Sequence, residues 1–161
     1  MLIRDASAAD FERILQLNEE SEHFLSPMTL ARLEALHAEA AYHRVMDDDG
    51  KIAGFLLAFR EGTRYDSSNY LWFTQHYDQF LYIDRVVVSK QYQGQGLGSQ
   101  LYDDLFEFAR ASGVTRITCE FDIEPPNDAS RRFHQRFGFS EVGTRSYGEI
   151  TKQVSLQMVA V

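Results

Sequence analysis

The sequence predicts one mixed α/β (α+β) domain spanning residues 1–161, and three observations predict it. A chain of 161 residues is long enough to bury a core of its own. Strand-like runs rich in β-branched residues alternate with amphipathic stretches in the order β-α-α-β-β-β-α-β-α-β-β. No linker and no repeat interrupts that order. The composition agrees: 44% hydrophobic and 25% charged residues, with 10 Gly and 3 Pro, exclude global disorder and collagen-like structure.

Each element has a local reason. Met1 to Asp5 starts apolar and extended. Ser7 is a good N-cap with Asp10 three positions on, and Phe11, Ile14, Leu15 and Asn18 follow helical spacing with Glu12, Glu19 and Glu20 outward. A second helix over Thr29–Ala40 carries Leu30, Leu33 and Leu36, with Pro27 near its start. Tyr42–Met46 and Ile52–Phe59 form a hairpin across the turn Asp47-Asp48-Asp49-Gly50. From Gly62 to Asp78 the pattern is lost in a segment carrying Tyr65, Tyr70, Trp72, Phe73, His76 and Tyr77. So long a loop is often functional, or it hides a short helix. Phe80–Ser89 reads as a central strand. Gly96–Ala111 is the clearest helix: Leu97, Leu101, Leu105 and Phe108 share a face, Asp103, Asp104 and Glu107 face water, and Gly113 closes it. Val114–Phe121 is a strand ended by Pro125-Pro126, Asn127–Phe137 a short helix, and Phe139–Thr144 with Ile150–Val159 a terminal hairpin.

Charge and cysteine content narrow the function. The formal net charge of −8 opposes a broad nucleic-acid surface and suits solubility or a cationic small partner. No apolar stretch approaches the ~20 residues a membrane span needs. The start, MLIRDASAADFERIL, lacks the pattern of a signal peptide. Cys119 is the single cysteine, so a reducing compartment is the simplest expectation, and the chain reads as cytoplasmic. On its strand Cys119 is expected to be a buried, inert thiol. His23, His37, His43 and His76 show no metal-ligand spacing, so no metal is expected.

The informative stretch runs from Val86 to Ser99. A strand ends, a short loop follows, and a helix opens on Gly94, Gly96 and Gly98. Glycine lets amides approach a ligand, and a helix N-terminus adds unsatisfied donors and about half a positive charge. Together they make a phosphate site. No lysine follows the glycines as a Walker loop requires, and G-x-G-x-G is not the dinucleotide-binding G-x-G-x-x-G.

Gln93-x-x-Gly96-x-Gly98 after a strand, then a helix, then Asn127-Asp-Ala-Ser130-Arg-Arg-Phe133-His134-x-x-Phe137-Gly138-Phe139, resembles the GNAT superfamily of acetyl-CoA-dependent N-acetyltransferases. The likeness is specific from Tyr82 to Val142. It implies a GNAT fold: one mixed, mostly antiparallel sheet of about seven strands flanked by about four helices. It implies that the backbone of Val86, Val87 and Val88 pairs with the pantetheine arm of acetyl-CoA. The amides of Gln93, Gly94, Gln95, Gly96, Leu97, Gly98 and Ser99 would hold the pyrophosphate. Asn127, with Ser130 beside it, matches the pantetheine-binding asparagine, or is only a helix N-cap. Lys90, Arg131 and Arg132 could reach outer phosphates, though solvated charge is their default.

The implied chemistry is direct attack of an amine on a thioester, with coenzyme A as product. Asp84 stands where many members carry a glutamate base. It could equally be the partner of another buried polar group; Arg85, next in sequence, is expected on the opposite face. His134 occupies the place of the tyrosine that many members use as acid to the thiolate. It serves either as that acid or as a packing contact, and Tyr147 is the reserve acid. The acceptor side is expected near Glu22–Met28 and the last hairpin turn. The aromatic segment either walls it or packs on a second subunit in a homodimer. The expected function is N-acetyl transfer to the primary amine of a small molecule; a protein or peptide acceptor, or an acyl-CoA-binding module without catalysis, are the alternatives.

Overall fold

The computed structural model describes residues 1–22, 25–147 and 152–161; of Tyr147 it describes the backbone alone. Its elements follow the order β1 (Leu2–Asp5), α1 (Phe11–Glu20), α2 (Leu30–Glu39), β2 (Tyr42–Asp48), β3 (Lys51–Arg60), α3 (Ser68–His76), β4 (Leu81–Val88), α4 (Leu97–Ala111), β5 (Arg116–Glu124), α5 (Asp128–Arg136), β6 (Ser140–Tyr147) and β7 (Lys152–Ala160). Short 3-10 turns precede α1 and α4. The expected terminal strand begins at residues 150 and 151, which lie outside the described residues.

Local chemistry sets the boundaries. The Ser7 amide donates to the Asp10 carboxylate at 2.8 Å, and Arg4 grips the same carboxylate with two nitrogens at 2.8 and 2.9 Å. Thr29 caps α2 by accepting from the Arg32 amide. Asp49 and Gly50 carry the positive φ of the β2–β3 turn, at 50° and 93°.

Seven strands form one sheet in the order β1-β2-β3-β4-β5-β7-β6. Every neighbouring pair is antiparallel except β4 and β5. Helices α1, α2 and α3 cover one face, through Phe11, Ile14, Leu17, Leu33, Leu36, Tyr70 and Phe73. Leu97, Leu101, Tyr102 and Leu105 of α4 bury the other face, with Phe133 and Phe137 of α5 packed against them. β3 and β4 approach so closely that a Cβ on Gly54 would lie 2.6 Å from the Val87 carbonyl oxygen, which is why that strand position is glycine.

Five helices stand where about four were expected, because the aromatic segment contains α3. Its rings turn inward: Tyr65, Tyr70 and Phe73 are buried, and Phe59, Tyr70, Phe73, Phe80 and Tyr82 form one aromatic cluster. The segment is therefore an internal wall of this chain. Trp72 and Tyr77 remain half-buried and Leu71 exposed, so the segment turns only part of its apolar surface inward.

Candidate active site

The sheet opens at its centre. β4 and β5 pair only at Leu81↔Ile117 and Tyr82↔Thr118. Beyond Tyr82 and Thr118 the two strands part, leaving the edge of β4 from Ile83 to Val88 without β5 as a neighbour. A cavity of about 290 Å³ fills the gap. Its lining includes Asp84 and Val86 from β4, Cys119 and Glu120 from β5, and Ser130 and His134 from α5.

Asp84 sits on a β-bulge. Pairing of β3 with β4 steps from Leu57↔Arg85 to Ala58↔Ile83, so Asp84 has no partner in the ladder. A bulge breaks the side-chain alternation of the strand, and Arg85 does not point away from Asp84 as expected. Its Nε donates to Asp84 Oδ2 at 2.6 Å, with both side chains under a tenth exposed. Arg85 Nη1 also donates to Asn18 Oδ1 at 2.9 Å and to the Ser26 carbonyl at 3.3 Å. The Tyr65 hydroxyl donates to the other Asp84 oxygen; burial, with the Asp84 charge beside it, pushes that phenol well above its ordinary value. Asp84 is thus the centre of a satisfied ion pair that ties the α1–α2 connection to the sheet.

A second acid, which the sequence reading passed over, faces the same space. Glu120 lies on β5 and lines both this cavity and a neighbouring polar one of about 340 Å³. The buried Tyr82 hydroxyl donates to its carboxylate, 2.8 Å from Oε1 and 2.7 Å from Oε2. Burial above all, with the charges of Asp84 and Asp122 adding, pushes its pKa up to about 8 against hydrogen bonds from Tyr82 and Asn69. The signal was present in Ile117-Thr118-Cys119-Glu120-Phe121: an acid within an apolar strand is costly unless used or paired.

His134 is buried, and both ring nitrogens are engaged. Nδ1 lies 2.7 Å from the Ser130 carbonyl oxygen, which can only accept, so Nδ1 carries the proton. Nε2, 2.8 Å from the Tyr102 hydroxyl, therefore accepts from it. Burial lowers the imidazole's pKa, so the neutral form has its one N–H committed to Ser130. Tyr102 extends from α4 into the cavity lining. Burial also pushes the Cys119 thiol well above its ordinary value, consistent with an inert side chain. Asn127 caps α5, its Oδ1 accepting from the Ser130 amide at 3.2 Å, and it lines the cavity as well. The reserve acid, the Tyr147 side chain, lies outside the described residues.

The glycine loop lies between the end of β4 and the start of α4, where a Cβ at Gly98 would be 3.8 Å from the Phe133 ring of α5. Gly94 and Gly96 have φ of +81° and +76°, and a Cβ at either would meet nothing within 4 Å. Backbone conformation, not crowding, therefore demands glycine there. Gly96 is the N-cap of α4, and its carbonyl accepts from Gln100, so the amides of Leu97, Gly98 and Ser99 point out of the helix end. The residues present fit a pantetheine diphosphate: an open strand edge at Val86–Val88 for the arm, and this loop for the phosphates. Lys90, Arg131 and Arg132 are exposed, and Arg131 pairs with Asp128 at 3.2 Å.

Among the described residues no group of three or more His, Cys, Asp or Glu side chains could hold a metal ion. No helix is long and apolar enough to cross a membrane. Residues 8–139 match the model of the acetyltransferase (GNAT) family. The chain belongs to that family. A phosphinothricin N-acetyltransferase of Streptomyces coelicolor is 43% identical over 60 residues, 37% of this chain and 33% of that protein. An N-acetyltransferase of Streptomyces griseus is 37% identical over 60 residues, covering 37% and 29%. The matched stretch thus spans about a third of either relative's length. Solved GNAT-type folds agree over the whole chain. A ribosomal-protein-alanine N-acetyltransferase from Brucella melitensis superposes with a TM-score of 0.74 at 22% identity, covering 100% of both chains. An N-acetyltransferase from Staphylococcus aureus Mu50 gives 0.74 at 21% identity, covering 99% of this chain and 97% of that one.

Proposed function

We propose that this GNAT chain is a cytoplasmic N-acetyltransferase that moves an acetyl group from acetyl-CoA to the primary amine of a small molecule, by direct attack in a ternary complex. The observation that carries the reading is Glu120: an acid with a pKa of about 8 at the junction of two cavities. One is bounded by the open strand edge and by Asn127, Ser130 and His134. The other is walled by Leu25, Ser26 and Pro27, by Tyr65, Ser67 and Asn69, and by Arg32. The second cavity, about 340 Å³, suits an amino-acid-sized molecule.

Bound acetyl-CoA supplies the thioester. The loop amides from Gln93 to Ser99 would hold its phosphates, and Val86, Val87, Val88, Asn127 and Ser130 would position its arm. An alkyl ammonium with a pKa near 10 must lose a proton before it attacks. Glu120, with its pKa raised to about 8, takes that proton in its ionised form. The nitrogen's second acidic proton leaves with the sulfur as the amide forms, so the products are the amide, the thiol and one proton on Glu120. Asp84 acts here as the fixed anion of the Arg85 clamp instead of as the base. His134 acts as a buried contact of the donor channel, since its ring proton is already spent on Ser130.

A peptide acceptor is the second reading, favoured by the fold shared with a ribosomal-protein-alanine N-acetyltransferase. Thiol release is to be measured with small amines, amino acids, polyamines and peptides. Faster release with small amines supports the proposal, and faster release with peptides replaces it. Binding of coenzyme A with no amine-dependent release would leave a binding module.

A further inference from the structure

Residues 61–80 join β3 to β4 through α3, where a tight turn would suffice. One face of α3 carries Asn69, Trp72 and His76, at the three- and four-residue spacing of helix neighbours. Trp72 and His76 stack with ring centroids 3.6 Å apart. That face lies on β6. A Cβ at Gly143 would be 2.7 Å from the Trp72 indole, and Arg145 Nη1 donates to Asn69 Oδ1 at 2.9 Å.

The sheet register carries this contact to the buried acid. Gly143 pairs with Leu156 and Leu156 with Glu120; Arg145 pairs with Val154 and Val154 with Asp122. Helix α3 therefore lies across β6 and β7 toward β5, and Asn69 lines both cavities together with Glu120. Arg145 occupies the Asn69 carbonyl oxygen, which leaves the amide NH₂ as the group that can face the Glu120 carboxyl across the two cavity walls they share.

We propose that Asn69 is a positioning residue for Glu120, held in orientation by Arg145, and that helix α3 thereby sets the pH at which the acceptor amine is deprotonated. The proposal rests on the reading of Glu120 as base. The other groups acting on this carboxyl are the Tyr82 hydroxyl and the Asp84 carboxylate on β4 and Asp122 on its own strand; Tyr65, Tyr102 and the neighbouring Cys119 also feel its charge, and Arg85 and His134 line the same cavity. Asp84 is itself paired with Arg85 and Tyr65. Asp84 and Asp122 oppose ionisation of Glu120; Tyr82 and Asn69 donate to its ionised form. Removing one of two donors shifts the balance toward the protonated acid.

The test uses Asn69→Leu and Asn69→Asp. The second keeps the shape and the Arg145 contact while removing the donor, so it serves if the first does not fold. Titration of the Glu120 carboxyl is followed by ¹³C NMR, its signal assigned with Glu120→Gln, alongside the pH profile of kcat/KM for the acceptor amine. Losing a hydrogen bond to a charged group is expected to raise the midpoint by about 1 pH unit in Asn69→Leu, and by more in Asn69→Asp. An unmoved carboxyl midpoint in a folded variant overturns the proposal. A moved carboxyl midpoint with an unmoved kinetic profile leaves Asn69 in place and overturns Glu120 as base.

Discussion

Replacing Glu120 by Gln keeps the side chain's shape and removes its proton chemistry, so it tests stability and catalysis together. The carboxyl goes from an ordinary 4.5 to about 8 in the fold. Between those values the folded protein holds a proton that the unfolded chain has released. This group's contribution to stability is therefore complete below pH 4.5 and is lost as pH rises through 8. The gap from 4.5 to about 8, at about 1.36 kcal/mol per unit, sets the loss at no more than about 5 kcal/mol. Gln has no such dependence. Urea unfolding of both proteins at pH 5, 6.5 and 8 should show the variant gaining on wild type at each step. In the same preparations wild-type kcat/KM should climb to a plateau above pH 8, and the variant should lie about 10²–10⁴-fold below it. Parallel stability curves would mean that Glu120 ionises like any surface acid. A fully active variant would remove it from the chemistry.

Gly96→Asp puts a side chain on a +76° φ and a negative charge at the α4 end, so acetyl-CoA affinity by calorimetry should fall at least tenfold; unchanged affinity in a folded variant removes the loop assignment. His43 lies with Nδ1 2.8 Å from His37 Nδ1 and Nε2 without a partner, and burial first, then His37, pushes its pKa down to about 4. Its contribution to stability is complete above pH 6.5 and drains away as pH falls to 4, by about 3 kcal/mol. His43→Leu should abolish that part of the wild-type acid loss in urea melts between pH 4.5 and 7; an identical pH slope in the two proteins counts against it. His134→Phe should keep kcat within about tenfold of wild type while lowering stability by about 1–3 kcal/mol, because the buried Tyr102 hydroxyl loses its acceptor. A 10²–10⁴-fold fall in kcat at unchanged acetyl-CoA affinity would make His134 the acid after all.

Much of this architecture could be read from residue order, and the reasons differ by element. The glycine loop was legible because positive φ at Gly94 and Gly96 leaves few residue choices. Ser7 with Asp10, and Asn127, announced helix starts: the Asp10 carboxylate accepts from the Ser7 amide and the Asn127 side chain from the Ser130 amide. Helix α3 was hidden for a physical reason. Tyr70 and Phe73 face the sheet and Trp72 faces β6, so its apolar positions form no single stripe. The Asp84–Arg85 pair was misread because alternation assumes a regular strand, and the bulge depends on the β3 register, which no local pattern encodes. Glu120 was passed over because its meaning comes from Tyr82 and Asn69, distant in sequence. The acid role offered for His134 beside that of a packing contact rested on its place in a motif; the bond its Nδ1 gives to the Ser130 carbonyl and the one its Nε2 takes from Tyr102 exist only in three dimensions.

The two residue pairs that join β4 to β5 form a narrow isthmus between the amino-terminal and carboxy-terminal halves of the sheet. A pantetheine arm laid along Val86–Val88 would act as a splint across that seam. Occupancy should therefore slow hydrogen exchange on both banks of the opening, reaching β5 amides that never touch the nucleotide. On this view the donor completes the β-structure of the protein before it takes part in any reaction.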